Sequence, residues 1–227
     1  MIAGGCGGES DQARPLTADE AALLASTRVQ NVREREVGFE IDIPGSPRLL
    51  LDVVVNFEEH YAYGRFESRE RGDEGPVLEH GLIGWDPNHV VGVAADDAQV
   101  PIRDHWFRQA LGSESRRDLT MLLTLNLGSD RPENPQLLQQ GSAQFLRRDR
   151  IGDTAVIVLA GPGDPSSSAP GGGARTRYWL DDQGTMLRFE AYLGDAGGKM
   201  TTVDRSDAVI VDDALHAAVR EALNLAP

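Results

Sequence analysis

The feature that most constrains this chain is a series of short segments in which apolar and polar residues alternate. Val37, Phe39 and Ile41 alternate with small or charged residues until Pro44 ends the run. Successive side chains of a β-strand point to opposite faces, so this alternation is typical of a strand with one buried face. We therefore predict a first strand over residues 36–43 and a chain built mainly on a sheet.

Further segments of the same kind follow along the chain. The segment 49–57 is apolar on both faces over much of its length, whereas 61–68 and 77–85 alternate. Turn residues separate these runs, which favours consecutive antiparallel strands. Residues 96–112 show no clear period, and we predict a loop that could cover something. The remaining predicted strands span residues 89–95, 142–148, 153–160, 175–181, 185–193 and 200–211.

Helical patterns interrupt the strands at four places. Thr17 and Glu20 have the spacing of a capping box before an apolar run, which predicts a helix over 18–33. A Leu-rich period predicts a second helix over 117–127. Residues 135–140 could form one more helical turn, and a last helix is expected over 212–224. One antiparallel sheet with helices on one face is the economical arrangement.

Length and charge limit the kinds of protein this can be. A chain of 227 residues with 40% hydrophobic residues can bury a core, and one domain over 18–227 is the simplest division. The formal net charge of −14 repels phosphate backbones and anionic lipid surfaces. We therefore expect no nucleic-acid partner, and we expect any membrane attachment to be covalent. No segment approaches the roughly 20 apolar residues that span a bilayer.

The first seventeen residues have the composition of a flexible tether around the only cysteine, Cys6. The small residues before it, Ala3-Gly4-Gly5-Cys6, resemble the lipobox of bacterial lipoproteins, although the usual leucine is Ala3 here. The charged and apolar regions of a signal peptide are missing, which a trimmed or mis-started sequence would explain. The resemblance implies a lipidated Cys6 on the outer face of the cell membrane. The alternative is an exposed thiol in a disordered tail.

Residues 177–191 contain a hairpin pattern formed by Trp179, Asp181, Gly184 and Arg188. Asp181 favours a turn, and Gly184 permits a positive φ. The pattern resembles the hairpin of the LolA-like fold, including the LppX/LprAFG group of actinobacterial envelope lipoproteins. The order of elements is also similar, with an N-terminal helix, a meander, a Leu-rich helix and a Gly-x-x-x-Phe-Leu strand before the hairpin.

The resemblance implies an α+β fold in which a strongly curved antiparallel sheet, a half-barrel, carries helices packed on its concave side. Such a cavity can hold an acyl chain or another lipophilic molecule, and family members carry lipids or lipoproteins or sense the state of the envelope. The last helix and a Ser/Pro/Gly-rich insert near 161–174, which we expect to be disordered, depart from the compact family pattern. The identity of any lid therefore stays open.

The candidate ligand-binding residues are bulky apolar side chains on the strands and on the mid-chain helix. Ordinary core packing is the alternative for all of them. Trp106 and Phe107 stand in a polar segment, where they could plug a cavity, contact a membrane interface or fold back as a small cluster. The other candidates are Phe39, Val53, Phe57, Trp85, Leu119, Leu122 and Leu123.

The sequence contains no recognisable catalytic, nucleotide-binding or metal-binding motif. The five histidines, which are His60, His80, His89, His105 and His216, lack the spacing that places two imidazoles on one metal. Neither a Gly-x-Ser-x-Gly elbow nor a P-loop is present. We therefore predict a non-enzymatic envelope lipoprotein, without cofactor, that binds a lipophilic ligand. The alternative is a protein-interaction or sensor lipoprotein of the same fold whose cavity is filled by its own side chains.

Overall fold

The computed structural model describes residues 13–70, 75–94, 105–163, 175–193, 200–208 and 213–225, which form twelve strands and four helices. The helices are α1 (Ala18–Glu34), α2 (Arg116–Leu125), α3 (Pro135–Gln140) and α4 (Asp213–Leu223). The strands are β1 (Arg14–Pro15), β2 (Glu36–Ile43), β3 (Arg48–Asn56), β4 (Tyr61–Arg69), β5 (Val77–Trp85), β6 (His89–Ala94), β7 (Phe107–Ala110), β8 (Gln144–Ile151), β9 (Thr154–Ala160), β10 (Thr176–Leu180), β11 (Met186–Ala191) and β12 (Thr201–Arg205).

All twelve strands belong to one sheet in the order β1-β8-β9-β10-β11-β12-β2-β3-β4-β5-β6-β7. Every neighbouring pair is antiparallel. The end strands β1 and β7 do not pair with each other, so the sheet is curved but not closed. The predicted α+β class with a half-barrel sheet is confirmed.

One face of the sheet, here called the inner face, carries α1, α2 and α3. Alternate residues of the strands, such as Val53 on β3 and Ile83 on β5, join side chains of these helices in the main hydrophobic cluster. The predicted capping box at the start of α1 is confirmed, because the Glu20 N–H donates to Thr17 Oγ1 at 3.3 Å and the Thr17 N–H donates to Glu20 Oε2 at 2.9 Å. Burial of an apolar helix face against the strands holds this layer together.

The opposite, outer face carries α4. Leu215, Val219 and Leu223 pack against the strand residues that alternate with the inner-face set, including Tyr63 and Leu82. The prediction that the helices share one face is correct for α1, α2 and α3 and wrong for α4. The reason is that β3 to β6 are apolar on both faces at this end of the sheet, so the outer face also needs a cover.

The hairpin of β10 and β11 has the turn that its sequence predicts. The Asp181 carboxylate accepts hydrogen bonds from the N–H groups of Gln183 and Thr185 at 2.9 and 2.8 Å, and Gly184 has a φ of +81°. The Trp179 indole donates to Asp149 at 3.1 Å. These contacts fix the turn and the register of the hairpin.

Two elements differ from the expectations. Arg14 and Pro15 pair with β8, so part of the segment 1–17 that was predicted to be a tether belongs to the sheet. The predicted loop 96–112 contains β7. All side chains of this strand are exposed, so its sequence shows no alternation of apolar and polar residues. Cys6, residues 95–104 and most of the insert 161–174 lie outside the described residues. No helix in the described ranges is long and apolar enough to cross a membrane.

Candidate functional site

Four of the predicted ligand-binding residues lie deep in the inner-face cluster. Phe39, Val53, Phe57 and Trp85 are each no more than 1% exposed. The rings of Phe39 and Phe57 meet edge to face with centroids 6.3 Å apart. Side chains packed in this way stabilise the core, and a ligand reaches them only if the helices move away from the sheet.

Trp85 links the sheet to α2. Its indole N–H donates to the main-chain oxygen of Met121 at 3.0 Å, and both side chains are buried in the same cluster. A buried indole nitrogen needs an acceptor, so this bond fixes the distance and the rotation of α2 on the sheet. The structure therefore gives Trp85 a positioning contact with the helix that carries the other candidates.

Three of the four leucines of α2 are not among the residues that this helix buries. Met121 and Leu125 face the core, together with Thr120 and Thr124, whose side chains are inaccessible to solvent. The two hydroxyls donate to main-chain oxygens one helical turn earlier, at 2.9 and 2.8 Å, so they are satisfied inside the helix. The half-buried residues of α2 include Leu119, Leu122 and Leu123, here called the leucine stripe.

Polar contacts hold the first turn of α2 in this rotation. The Asp118 carboxylate accepts hydrogen bonds from the Gly112 N–H at 3.1 Å and from Arg117 Nε at 2.8 Å, and the Asp118 N–H donates to the Ser115 cap at 3.0 Å. Burial raises the pKa of Asp118, but the bonds to Arg117 and Gly112 outweigh burial and hold that pKa below its usual range. The helix therefore begins at a fixed point beside β7.

Trp106 and Phe107 lie on opposite faces of the sheet. Trp106 packs against the outer-face cluster, which agrees with the small-cluster alternative considered for it. Phe107 lies on β7, is 47% exposed and covers the inner side of Gly92, where an added Cβ would meet its ring at 2.7 Å. The structure therefore places Phe107, but not Trp106, on the same face of the sheet as the leucine stripe.

Two cavities show what the described residues can enclose. A small one, of about 40 Å3, lies beside α1 and is lined by Leu24, Arg28, Glu133, Pro162 and Tyr178, which leaves room for water but not for an acyl chain. A groove of about 910 Å3 lies on the outer face across β12, β2, β3, β4 and β5. The sequence reasoning missed this groove, although its carboxylates occupy the polar positions of the alternating strands.

Comparisons with known proteins give no family model and no curated protein that matches this chain. Among solved structures, LprF from Mycobacterium bovis is similar at 13% identity over 86% of this chain and 94% of that chain, with a TM-score of 0.43. A putative outer membrane lipoprotein-sorting protein domain from Vibrio parahaemolyticus is similar at 12% identity over 88% of this chain and 98% of that chain, with a TM-score of 0.27. The resemblance to the LolA-like group rests on the hairpin and on the order of the elements.

Proposed function

We propose that this chain is an extracytoplasmic lipoprotein of the bacterial envelope that binds a lipophilic molecule along the leucine stripe of α2. The observation that carries the proposal is the rotation of α2, which buries two threonines and leaves Leu119, Leu122 and Leu123 partly open to water. Apolar side chains on a helix normally face the core. A lipophilic ligand would cover the stripe and remove this exposed apolar surface from water.

The chemistry of the stripe favours an acyl chain over a polar ligand. Leu123 of the stripe and Leu111 both pack against the inner-face cluster, and Phe107 offers a second exposed apolar surface on the same face. Covering such surfaces contributes roughly 25 cal/mol per Å2 of apolar area. Affinity should then come from apolar burial, and raising the salt concentration should change it little.

The test is a binding assay with delipidated protein and a fluorescent fatty acid, together with native mass spectrometry of protein purified from cells. We expect about one bound molecule per chain. Leu122→Asp places a charge in the leucine stripe and should weaken binding at least tenfold while the protein stays folded, because Leu122 is only half-buried. Circular dichroism checks the fold of the variant.

Leu137→Asp is the matched control, because Leu137 lies on α3 and is 66% exposed. It introduces the same charge on an open helix surface and should leave binding unchanged. Unchanged affinity of a folded Leu122→Asp variant would remove α2 from the site. Wild-type protein that binds no lipophilic molecule after delipidation would contradict a carrier role altogether.

A second candidate function is a protein-interaction or sensor lipoprotein of the same fold. Its support is the complete burial of Phe39, Val53, Phe57 and Trp85, which fill the inner face with the chain's own side chains. In that case the leucine stripe would contact a partner protein of the envelope. Absence of lipid binding together with an intact fold would favour this candidate.

The anchor part of the proposal rests on Cys6 and the small residues before it. Two or three acyl chains, at about 0.8 kcal/mol per buried CH2, hold a protein on a bilayer where one chain barely does. We expect the precursor with an upstream signal restored to fractionate with membranes, and Cys6→Ser to move to the soluble fraction. Membrane retention of the serine variant at the wild-type level would contradict lipidation at Cys6.

A further inference from the structure

The groove on the outer face lies between two covered regions of the sheet. On one side α4 covers β4, β5 and β6, and on the other a small cluster around Trp179 covers β9 and β10. Between them the side chains of β12, β2 and β3 line an open groove of about 910 Å3. Within the part of the chain that the structure describes, no helix packs on this stretch of the outer face.

Three carboxylates stand side by side across the floor of the groove. Asp204 on β12 lies directly opposite Glu40 on β2, and Glu40 lies directly opposite Asp52 on β3. Directly opposed residues of antiparallel strands have Cβ atoms about 5 Å apart, and like charges in such pairs destabilise a sheet. Arg188 forms an ion pair with Asp204 at one end of the row, and Arg65 lies directly opposite Asp52 at the other end.

Asp52 carries the effect of this crowding. Partial burial raises the pKa of Asp52, and the charges of Glu40 and Glu67 raise it further, while Arg65 lowers it. Each of these causes except Arg65 disfavours the ionised form of Asp52. A cation placed over Glu40 and Asp52 would relieve the repulsion and stabilise both charges.

One end of the groove is apolar. Val77 and Leu78, at the start of β5, are 44% and 55% exposed, and Leu50 lies half-buried between Asp42 and Glu67 in the neighbouring row. Asp42 is already held by Arg48 through two hydrogen bonds of 2.8 and 2.7 Å, and Glu67 forms an ion pair with Arg69. Glu40 and Asp52 are therefore the carboxylates of the floor that a ligand could engage. The groove therefore combines an acidic floor with an apolar rim, and a single small cation would leave that rim uncovered.

We propose that this groove is a docking surface for a basic, amphipathic polypeptide segment of a partner protein. Arginine or lysine heads of the segment pair with Glu40 and Asp52, and its apolar side chains cover Val77 and Leu78. Glu40 and Asp52, together with the net charge of −14, favour a basic occupant over anionic lipids and nucleic acids. The site is on the face opposite the leucine stripe, so it stands independently of lipid binding.

Fluorescence anisotropy with a labelled peptide of alternating arginine and leucine tests the proposal on the full chain at low ionic strength. We expect saturable binding of one peptide per chain. The double variant Glu40→Gln/Asp52→Asn should bind about tenfold more weakly, since two exposed charge pairs are lost. The control Asp153→Asn/Asp182→Asn removes the same charge at exposed turns and should bind as the wild type does.

Two further peptides test which side chains of the ligand the groove recognises. A peptide with glutamate in place of arginine should not bind, and one with serine in place of leucine should bind more weakly than the parent. Equal affinity of the groove variant and the control variant would overturn the proposal, because attraction by the net charge alone would explain binding. Equal affinity of the serine and leucine peptides would overturn the polypeptide assignment in favour of a simple cation surface. The groove variant should melt no lower than the wild type, which shows that it is folded.

Discussion

Helices α2 and α4 both pack against the sheet, but they bury different kinds of side chain. α4 places Leu215, Val219 and Leu223, one turn apart, against the outer face, and these side chains are buried. α2 buries two threonines beside Met121 and Leu125 and leaves its leucine stripe half-exposed. Packing of an amphipathic face is what usually orients a helix on a sheet. The comparison teaches that α4 is oriented by its apolar face, whereas contacts from other elements orient α2.

Those contacts are specific and come from two parts of the chain, one 36 residues away and one directly before the helix. Trp85 donates to the Met121 carbonyl, and the Gly112 N–H donates to Asp118, so β5 and the segment before α2 both determine its rotation. For α4, the fit to the sheet depends on Gly84, where an added Cβ would meet Val219 Cγ1 at 2.2 Å. Polar contacts therefore orient α2, and the close packing of Val219 against Gly84 orients α4.

The largest expected effect that tests this comparison is that of Val219→Asp. The charge would enter the outer-face cluster without a partner and should lower the stability of α4 docking by about 3–5 kcal/mol. Hydrogen exchange of residues 213–225 and limited proteolysis measure the release of the helix. Leu122→Asp introduces the same charge at a half-buried position of α2 and should lower the stability of the protein by under about 1 kcal/mol. Equal destabilisation by the two variants would contradict the difference between the helices.

A smaller effect concerns the polar attachment of α2 and its dependence on pH. The folded pKa of Asp118 lies below its ordinary value of 3.8, so its contribution to stability is present above that pH and is lost as pH falls through the folded pKa. We expect the free energy of unfolding of the wild type to exceed that of Asp118→Asn by about 1 kcal/mol at pH 7. Urea denaturation of both proteins between pH 7 and pH 2 measures the difference, which should vanish at the acid end. A difference that stays constant with pH would show that the charge of Asp118 does not contribute.

The sequence was informative wherever a pattern depends on neighbouring residues. The alternation of Val37, Phe39 and Ile41 predicted β2, and the capping box predicted the start of α1. Strand β7 was missed because an edge strand with exposed side chains has no buried face and therefore no alternation. The helix α4 was predicted, but an apolar helix face does not reveal which face of a two-sided sheet it will cover.

The candidate site was predicted only in part for a similar reason. Helical spacing placed Leu119, Leu122 and Leu123 on one side of a helix, but the rotation that leaves them half-exposed also depends on Trp85, which is 36 residues away from Met121 in the sequence. Phe39 and Phe57 were named from their size and strand position, and both are core residues in the structure. The acidic row of the groove arises from the register between β12, β2 and β3, which no local pattern contains.

The two ends of the sheet bear on how the protein behaves at high concentration. An open sheet presents unpaired N–H and C=O groups at its edges, and long flat edges recruit other chains into fibrils. Here β1 has two residues, one of them Pro15, the part of β8 that extends beyond β1 carries Arg147, Arg148 and Arg150, and β7 has four exposed residues that include Arg108 and Gln109. Proline cannot donate to a further strand, and a short polar edge offers little length for pairing. In the part of the chain that the structure describes, proline and charged side chains at the two edges therefore disfavour pairing with another chain.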